Sequence, residues 1–161
     1  MKRILVFSDT HGDISLCKEI IEKTPSDIIL HAGDYVTDAQ NLKKIYPDKR
    51  IEYVRGNGDA FSYAPDNAVI ELSGIRIFLT HGHNERVKTD TELKKLISVA
   101  KENDCNVAVF GHTHTGLERE ENGIKLLNPG SSKYGRCYGV IEIEDGKVST
   151  AVIGDSTFIM K

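Results

Sequence analysis

RILVFSDTHG, residues 3–12, begins as a short apolar run and ends in polar residues and a glycine. The run at 3–8 is apolar and β-branched, which predicts a buried strand. Asp9 and His11 follow at the point where that strand ends. On its own, an Asp-x-His segment at such a place is more often a turn and a cap than a binding site, so the rest of the chain decides its meaning.

Strands and helices alternate through the first half of the chain. Apolar residues at helical spacing predict helices over 14–23 and 38–46, with Asp13 as the N-terminal cap of the first. Apolar runs predict two further strands, 27–31 and 50–54. Strands that are joined by helices favour parallel pairing through right-handed crossovers.

The second half is richer in strands. It opens with a predicted hairpin, 68–72 and 75–80, and contains one predicted helix over 89–102. Shorter strands are predicted near 107–110, 115–120, 124–128, 137–144 and 147–153. Together the halves predict an α/β fold of two mixed sheets packed face to face with helices outside. The chain has no linker-like segment or repeat, so residues 1–161 are expected to form a single domain.

Composition excludes several classes of protein. The chain of 161 residues carries a formal net charge of −3, whereas proteins that hold nucleic acid by its backbone usually carry a basic surplus. No stable nucleic-acid complex is therefore expected. A local metal site can still attract phosphate, because its positive charge does not enter that total.

Cysteine usage and the apolar runs bear on location. The three cysteines Cys17, Cys105 and Cys137 are widely spaced, which argues against a disulfide framework and fits a reducing compartment. The apolar run near the N-terminus is much shorter than the roughly 7–15 residues of a signal-peptide core. No run approaches the ~18 residues that are needed to cross a bilayer. We expect a cytoplasmic protein without membrane contact.

Metal-ligand residue types recur directly after five predicted strands, most of them beside glycine. They are Asp9, His11, Asp34, Asn57, Asp59, His81, His83, His112 and His114. In open α/β sheets, ligands bind outside the carboxyl ends of the strands, so these side chains are expected to converge. Imidazole and carboxylate together suit Mn²⁺, Zn²⁺, Fe²⁺ or Ni²⁺. Five separate loops would otherwise each need an unrelated explanation.

The spacing of these residues resembles a known family. The motifs Asp9-x-His11, Gly33-Asp34, Gly56-Asn57-x-Asp59, Thr80-His81-Gly82 and Gly111-His112-x-His114 stand in the order found in calcineurin-like metallophosphoesterases. The size and compact form of the chain are most similar to the small bacterial and archaeal phosphodiesterases of the YfcE type. This resemblance implies a four-layer α/β/β/α sandwich.

The resemblance also implies roles for the motif residues. Asp9, His11 and His114 would hold one divalent ion, Asn57, His81 and His112 a second, and Asp34 would bridge the two. A hydroxide shared by the ions would attack the phosphorus of a phosphodiester. Mn²⁺ is the expected ion, and Ni²⁺, Zn²⁺, Fe²⁺ or Mg²⁺ fit similar ligands. The resemblance also favours homo-oligomers, and the expected substrate is a small phosphodiester.

One position departs from the wider family. Many members carry histidine after the motif asparagine, where this chain has Gly58. Glycine cannot donate a proton to a leaving group, which counts against esters with poor leaving groups. The YfcE-type proteins that the chain resembles also tend to lack this histidine, so the departure points towards that branch and towards diesters. We therefore expect Asp34, Asn57 and His83 to act in catalysis, with His83 taking over part of the missing role. A loop or supporting histidine is an equally good interpretation of His83.

Two alternatives remain at this stage. The first is a non-catalytic scaffold on the same fold, because a eukaryotic retromer subunit that resembles the family is regarded mainly as an assembly protein. The complete set of ligand residues counts against this alternative. A phosphomonoesterase is the other, and Gly58 counts against it. Tyr35, Phe61 and Tyr63 could stack on a substrate base, although such residues more often pack against loops.

Overall fold

The computed structural model describes residues 1–160, which form two five-stranded mixed sheets flanked by three helices. The first half contains β1 (Lys2–Phe7), α1 (Ser15–Lys23), β2 (Ile28–His31), α2 (Val36–Ile45) and β3 (Ile51–Tyr53). The second half contains β4 (Asn67–Leu72), β5 (Ile75–Thr80), α3 (Lys94–Glu102), β6 (Val107–Val109), β7 (Leu117–Glu121), β8 (Ile124–Asn128), β9 (Tyr138–Glu144), β10 (Lys147–Ile153) and a 3₁₀ turn (Ser156–Phe158). The predicted architecture is confirmed.

The first sheet has the strand order β10-β9-β1-β2-β3. Its strands β1, β2 and β3 are parallel, as expected for strands joined by helices, whereas β9 and β10 are antiparallel to their neighbours. The second sheet has the order β4-β5-β6-β8-β7, in which β5, β6 and β8 run parallel. The carboxyl ends of five of these parallel strands carry the loops with the predicted site residues.

Side-chain alternation along the strands produces the layers. In β1, Ile4 and Val6 face the apolar layer between the sheets, while Leu5 and Phe7 face the helices. Buried residues of β2 and of the second sheet complete the layer between the sheets. A separate apolar cluster lies beneath α3. Burial of both faces of each sheet explains the nearly continuous apolar runs in the sequence.

The predicted start of the third helix and the predicted cap of the first are wrong, and α2 begins at Val36, two residues before the predicted start at 38. The third helix begins at Lys94 rather than at 89, because Leu93 has a left-handed backbone (φ 57°) that does not continue into a helical turn. The cap position of α1 is Ile14 rather than Asp13. The Asp13 carboxylate instead accepts hydrogen bonds from the backbone and hydroxyl of Ser15 (3.0 and 2.7 Å). Within residues 1–160, no helix has the length and apolarity required to cross a bilayer.

Candidate metal centre

Hydrogen bonds between backbones tie the candidate loops together at one edge of the sandwich. The Asp9 N–H donates to the Gly33 carbonyl (2.9 Å), which joins the loops after β1 and β2. The Gly111 N–H donates to the His81 carbonyl (2.9 Å), which joins the loops after β6 and β5 in the other sheet. Bonds of this kind fix the loops that position the polar side chains.

A first group of side chains consists of Asp9, His11 and His114. The Nε2 atoms of His114 and His11 lie 3.2 and 3.8 Å from Asp9 Oδ1, and 3.3 Å from each other. Residues 9 and 114 lie far apart in sequence, and the two sheets bring them into contact. Three ligand-type atoms at these separations could hold one divalent ion.

A second group adjoins the first through Asp9. His81 Nε2 lies 3.4 Å from Asp34 Oδ2, 3.9 Å from Asp9 Oδ1 and 3.1 Å from Asn57 Oδ1. The ring of His112 lies 5.0 Å from that of His81, and its backbone N–H donates to Asp9 Oδ2 (3.1 Å). The structure therefore brings all seven residues predicted as ligands into one cluster.

The tautomer of His81 follows from its hydrogen bonds. Its Nδ1 lies 2.7 Å from the Ala32 carbonyl, which can only accept, so Nδ1 carries the proton. In the neutral ring, Nε2 then has a free lone pair, and this is the nitrogen that faces Asp34 and Asp9. A backbone carbonyl that orients an imidazole in this way is the usual arrangement behind a metal-ligating histidine.

A divalent cation fits these residues, as one atom of Asp9 shows most directly. The Oδ2 atom accepts hydrogen bonds from the Ser8 hydroxyl (2.6 Å) and the His112 backbone. Its Oδ1 atom is buried and accepts no hydrogen bond from the described residues, although three imidazole Nε2 atoms surround it. Burial of an unpaired carboxylate oxygen is costly, and a cation shared with those imidazoles removes the cost.

The charge states of three candidate ligands, Asp34, Asp9 and His112, suit a metal ion. For His81, burial opposes the charged form, but the neighbouring Asp34 and Asp9 raise its pKa. Burial opposes ionisation of Asp34, but its contact with His81 and a backbone N–H lower its pKa to about 2. Burial also opposes ionisation of Asp9, yet neighbouring His114 and His81 hold its pKa below the ordinary value. Burial and the nearby His81 lower the pKa of His112 to about 4. Near pH 7 the carboxylates are thus ionised and His112 is neutral, which are the forms that bind metals.

Two glycines make room for the carboxylates. A Cβ atom on Gly56 would lie 2.1 Å from Asp34 Oδ1, and one on Gly111 would lie 2.6 Å from Asp9 Oδ2. Neither position tolerates a side chain while the carboxylate stays in place. The glycines beside the predicted ligands therefore permit close approach.

Asp59 has a supporting position. Its carboxylate accepts hydrogen bonds from the backbone N–H groups of Asp34 (3.1 Å), Val36 (3.0 Å) and Gly56 (2.8 Å). The sequence places it among the ligand-type residues, but all three bonds hold the loops after β2 and β3 in register. The side chain thereby orients Asp34 from behind.

His83, predicted to act in catalysis, lies beside the second group. Its ring is half-buried, 5.5 Å from that of His81 and 6.2 Å from that of His112. Burial and the neighbouring His81 lower its pKa, and its Nδ1 accepts no hydrogen bond from the described residues. His83 lies outside the two groups of ligand-type atoms.

Tyr134 was missed by the sequence analysis. Its ring stacks on that of His114 at 5.4 Å and lies 5.6 Å from that of His11. Tyr35 meets His11 edge-on at 5.3 Å, so the imidazole has a tyrosine on two sides. Tyr134 follows the segment 128–132, far in sequence from every ligand motif, and no local pattern marks it.

The segment 128–132 supports the loops from behind. The Ser131 hydroxyl donates to the Asp9 carbonyl (2.9 Å), and the Asn128 amide donates to the Gly111 carbonyl (3.1 Å). His31 is buried in the core, where its Nδ1 accepts from the Gly33 N–H (3.1 Å). His31 therefore supports the loop after β2 from within the core.

The backbone of the cluster is strained. Positive φ angles occur at five of the seven candidate ligands: Asp9 (54°), His11 (44°), Asp34 (48°), His112 (69°) and His114 (63°). Each residue in this region costs on the order of 1–3 kcal/mol, and such costs concentrate at functional sites. Glycine avoids the cost, but it has no side chain to bind with.

We expect His114→Gly to be more stable than His114→Ala by about 1 kcal/mol, because only glycine relaxes a positive φ. At His83, which lies outside the left-handed region, the order should reverse, since glycine adds unfolded-state entropy there. Urea denaturation of the four metal-free variants measures both differences. Equal differences at the two positions would contradict the assignment of strain to His114.

Known proteins share this fold and sequence. Residues 1–146 match the model of the calcineurin-like phosphoesterase superfamily domain. A probable metallophosphoesterase of Mycoplasma pneumoniae is 31% identical, with 92% of this chain and 94% of that protein aligned. A Methanocaldococcus jannaschii protein named as a phosphodiesterase is 25% identical, with 80% and 82% aligned.

A solved structure has the same fold. A crystal structure from Streptococcus pneumoniae TIGR4, of a conserved uncharacterized protein described as a predicted phosphoesterase, superposes with a TM-score of 0.80 at 28% identity. The match covers 95% of this chain and 89% of that one. With the convergent carboxylates and imidazoles, these similarities lead to one assignment: the chain is a metal-dependent phosphoesterase and belongs to the calcineurin-like phosphoesterase superfamily.

Proposed function

We propose that this protein is a phosphodiesterase that works with two divalent ions. The observation that carries the proposal is the pair of ligand groups that share Asp9. One group is Asp9, His11 and His114, and the other is Asp9, Asp34 and His81, with Asn57 and His112 alongside. Two adjoining groups of this composition support two ions rather than one.

The ions would supply a nucleophilic hydroxide near neutral pH and positive charge for the phosphate oxygens. The protein's own residues would hold and orient the reactants. Asp34, ionised and held by the Gly58 N–H (3.0 Å), would contribute its carboxylate to the second group, beside Asp9. Asn57, exposed at the edge of the second group, would face the phosphate.

Preference for diesters is supported by the similar Methanocaldococcus jannaschii protein named as a phosphodiesterase and by the resemblance at position 58 to the YfcE-type branch. In hydrolysis, a water oxygen forms the new bond to phosphorus, the bond to the leaving alcohol breaks, and one proton passes to that alcohol. Gly58 offers no acid for this proton. His83 lies half-buried beside the second group and is not placed as a ligand, so it could hydrogen-bond the leaving oxygen through a ring N–H. Burial and the neighbouring His81 lower its pKa, which keeps the ring mostly neutral near pH 7. Mn²⁺ is the proposed ion because this mixture of donors suits it, and Ni²⁺, Zn²⁺, Fe²⁺ and Mg²⁺ are to be compared.

Metal-stripped protein assayed on bis(4-nitrophenyl) phosphate, with each ion added back singly, tests the proposal. We expect one ion to restore hydrolysis, with the diester cleaved faster than 4-nitrophenyl phosphate. Asp34→Asn and His112→Ala should each lower the restored rate by about 100-fold, since each misplaces a reacting group.

Binding measurements complete this test. Calorimetric titration of the stripped protein should give two ions per chain, and the variants should bind fewer or bind more weakly. A folded protein that binds metal but cleaves neither ester with any ion would favour the scaffold function instead. A single ion per chain with full activity would contradict the two-ion mechanism.

A further inference from the structure

A cleft of about 910 Å³ adjoins the candidate metal centre. It lies between α2, the edge strand β3 and the loop that follows β3, residues 54–66. Sites for small organic ligands usually have volumes of roughly 300–1,000 Å³ and are concave. The cleft is thus large enough for a nucleoside.

The wall of the cleft touches the metal centre directly. Gly58 and Asp59 line the cleft, and each forms a hydrogen bond with Asp34. The Gly58 N–H donates to Asp34 Oδ1 (3.0 Å), and the Asp59 carboxylate accepts from the Asp34 N–H (3.1 Å). Tyr35 also lines the cleft while its ring meets that of His11 at 5.3 Å. A phosphate at the centre could therefore carry a substituent that lies in the cleft.

Aromatic side chains surround this space with their faces uncovered. Phe61 and Tyr63 line the cleft and are 99% and 105% exposed, and Tyr35 is 41% exposed. A single exposed aromatic residue needs no explanation, but three around one cleft next to a metal centre form an apolar surface of the kind that binds a ligand. Flat rings with free faces are the usual stacking surface for nucleobases.

The α2 side of the cleft also carries polar groups. Thr37 and Gln40 of α2 line it, and the glutamine amide offers both a donor and an acceptor. Base edges present the same two kinds of group, so an amide can pair with them. Lys43 lies 5.7 Å from the Tyr53 ring centre on the same side, where it adds a positive charge. The combination suits a planar polar ring better than an alkyl chain.

We propose that this cleft binds the nucleobase of nucleoside phosphodiesters, which would make nucleotide diesters the substrate class of the centre. This inference rests on the proposed phosphodiesterase function. In hydrolysis a water oxygen would form the new bond to phosphorus as the bond to the second alcohol breaks. That alcohol would take up one proton of the water, and a nucleoside monophosphate would remain with its base in the cleft. A concave site beside the metal centre favours such a small ligand over a protein partner.

Two chromogenic diesters with the same leaving group test this inference: thymidine 5′-(4-nitrophenyl) phosphate and methyl 4-nitrophenyl phosphate. We expect the wild-type kcat/KM to be at least about tenfold higher for the thymidine ester, from base stacking. In Phe61→Ala/Tyr63→Ala the ratio of the two kcat/KM values should fall towards one. Both side chains are exposed, so the variant is expected to fold.

Ile153→Ala is the matched control, because Ile153 is an exposed apolar residue (44%) on β10 at the opposite edge of the same sheet. It should keep the wild-type ratio. A wild-type ratio near one, or a ratio that the double variant leaves unchanged, would overturn the base-binding cleft while leaving the phosphodiesterase function intact.

A binding measurement separates this inference from the proposed function. If neither ester is cleaved with any ion, the phosphodiesterase proposal fails, and fluorescence anisotropy with etheno-adenosine 5′-monophosphate decides about the cleft. Wild-type protein should bind this probe at least about tenfold more tightly than the double variant. Equal affinities would overturn the inference. Sedimentation velocity gives a second check. Self-association of the wild type that is absent in the double variant would also overturn the inference, because the aromatic residues would then belong to a contact between copies of the chain.

Discussion

Gly111→Ala is expected to lower diester hydrolysis by at least about 100-fold, because both ligand groups share the Asp9 carboxylate that the added methyl group displaces. The added Cβ would lie 2.1 Å from Ser8 Oγ and 2.6 Å from Asp9 Oδ2. The Ser8 hydroxyl donates a hydrogen bond to that same Oδ2, so the side chains of Ser8 and Asp9 must both shift. Overpacking of this kind should also lower the free energy of unfolding by about 1–3 kcal/mol.

Steady-state kinetics with saturating metal, together with urea denaturation of the metal-free protein, measures both effects. Gly123→Ala is the control: its Cβ would meet nothing within 4 Å, although its φ of +79° makes alanine strained there. It should lose stability from strain while keeping its activity. Full activity in Gly111→Ala would show that Asp9 can move without loss of function, and would contradict its role as the shared ligand.

Asp59→Ala should lower the free energy of unfolding by about 3 kcal/mol, because three backbone N–H groups lose a charged acceptor at once. These groups belong to Asp34, Val36 and Gly56, in the loops that meet beneath the metal centre. Metal affinity should fall by about 10- to 100-fold, as is typical when a residue that orients a ligand is removed. Denaturation and calorimetric titration measure the two quantities.

Asp59→Asn refines this prediction. The remaining side-chain oxygen of the asparagine can still accept from the Asp34 and Gly56 N–H groups, which both donate to Oδ2 of Asp59. Its NH2 group would face the Val36 N–H, and two donors cannot form a hydrogen bond. About half the stability loss is therefore expected. Asp48→Ala, at an exposed turn, should change stability by less than about 0.5 kcal/mol. Unchanged metal affinity in Asp59→Ala would mean that the loops hold Asp34 without it.

The helix at 94–102 shows where local pattern fails. The apolar spacing predicts a start at 89, yet the left-handed Leu93 delays it. Leu93 is buried beneath the second sheet with the residues of α3, so its apolar character fits the helical period although its backbone does not. Periodicity reports which side chains are buried, and burial alone does not specify the backbone of the residue that is buried.

The sequence alone determined the fold class and the set of residues that meet at one edge of the sheets. It did so through the order of its strands and helices and through the polar residues at the strand ends. Alternating apolar patterns specify which faces are buried, and strand ends in such folds share an edge, so the convergence of Asp9 and His114 could be predicted. Their role as metal ligands stays a prediction. Only the tertiary structure decided that Asp59 supports Asp34, that Tyr134 stacks on His114, and that a cleft with exposed aromatic rings lies beside the centre. These contacts join residues distant in sequence or depend on sub-ångström positions, and no local pattern of apolar and polar residues encodes either.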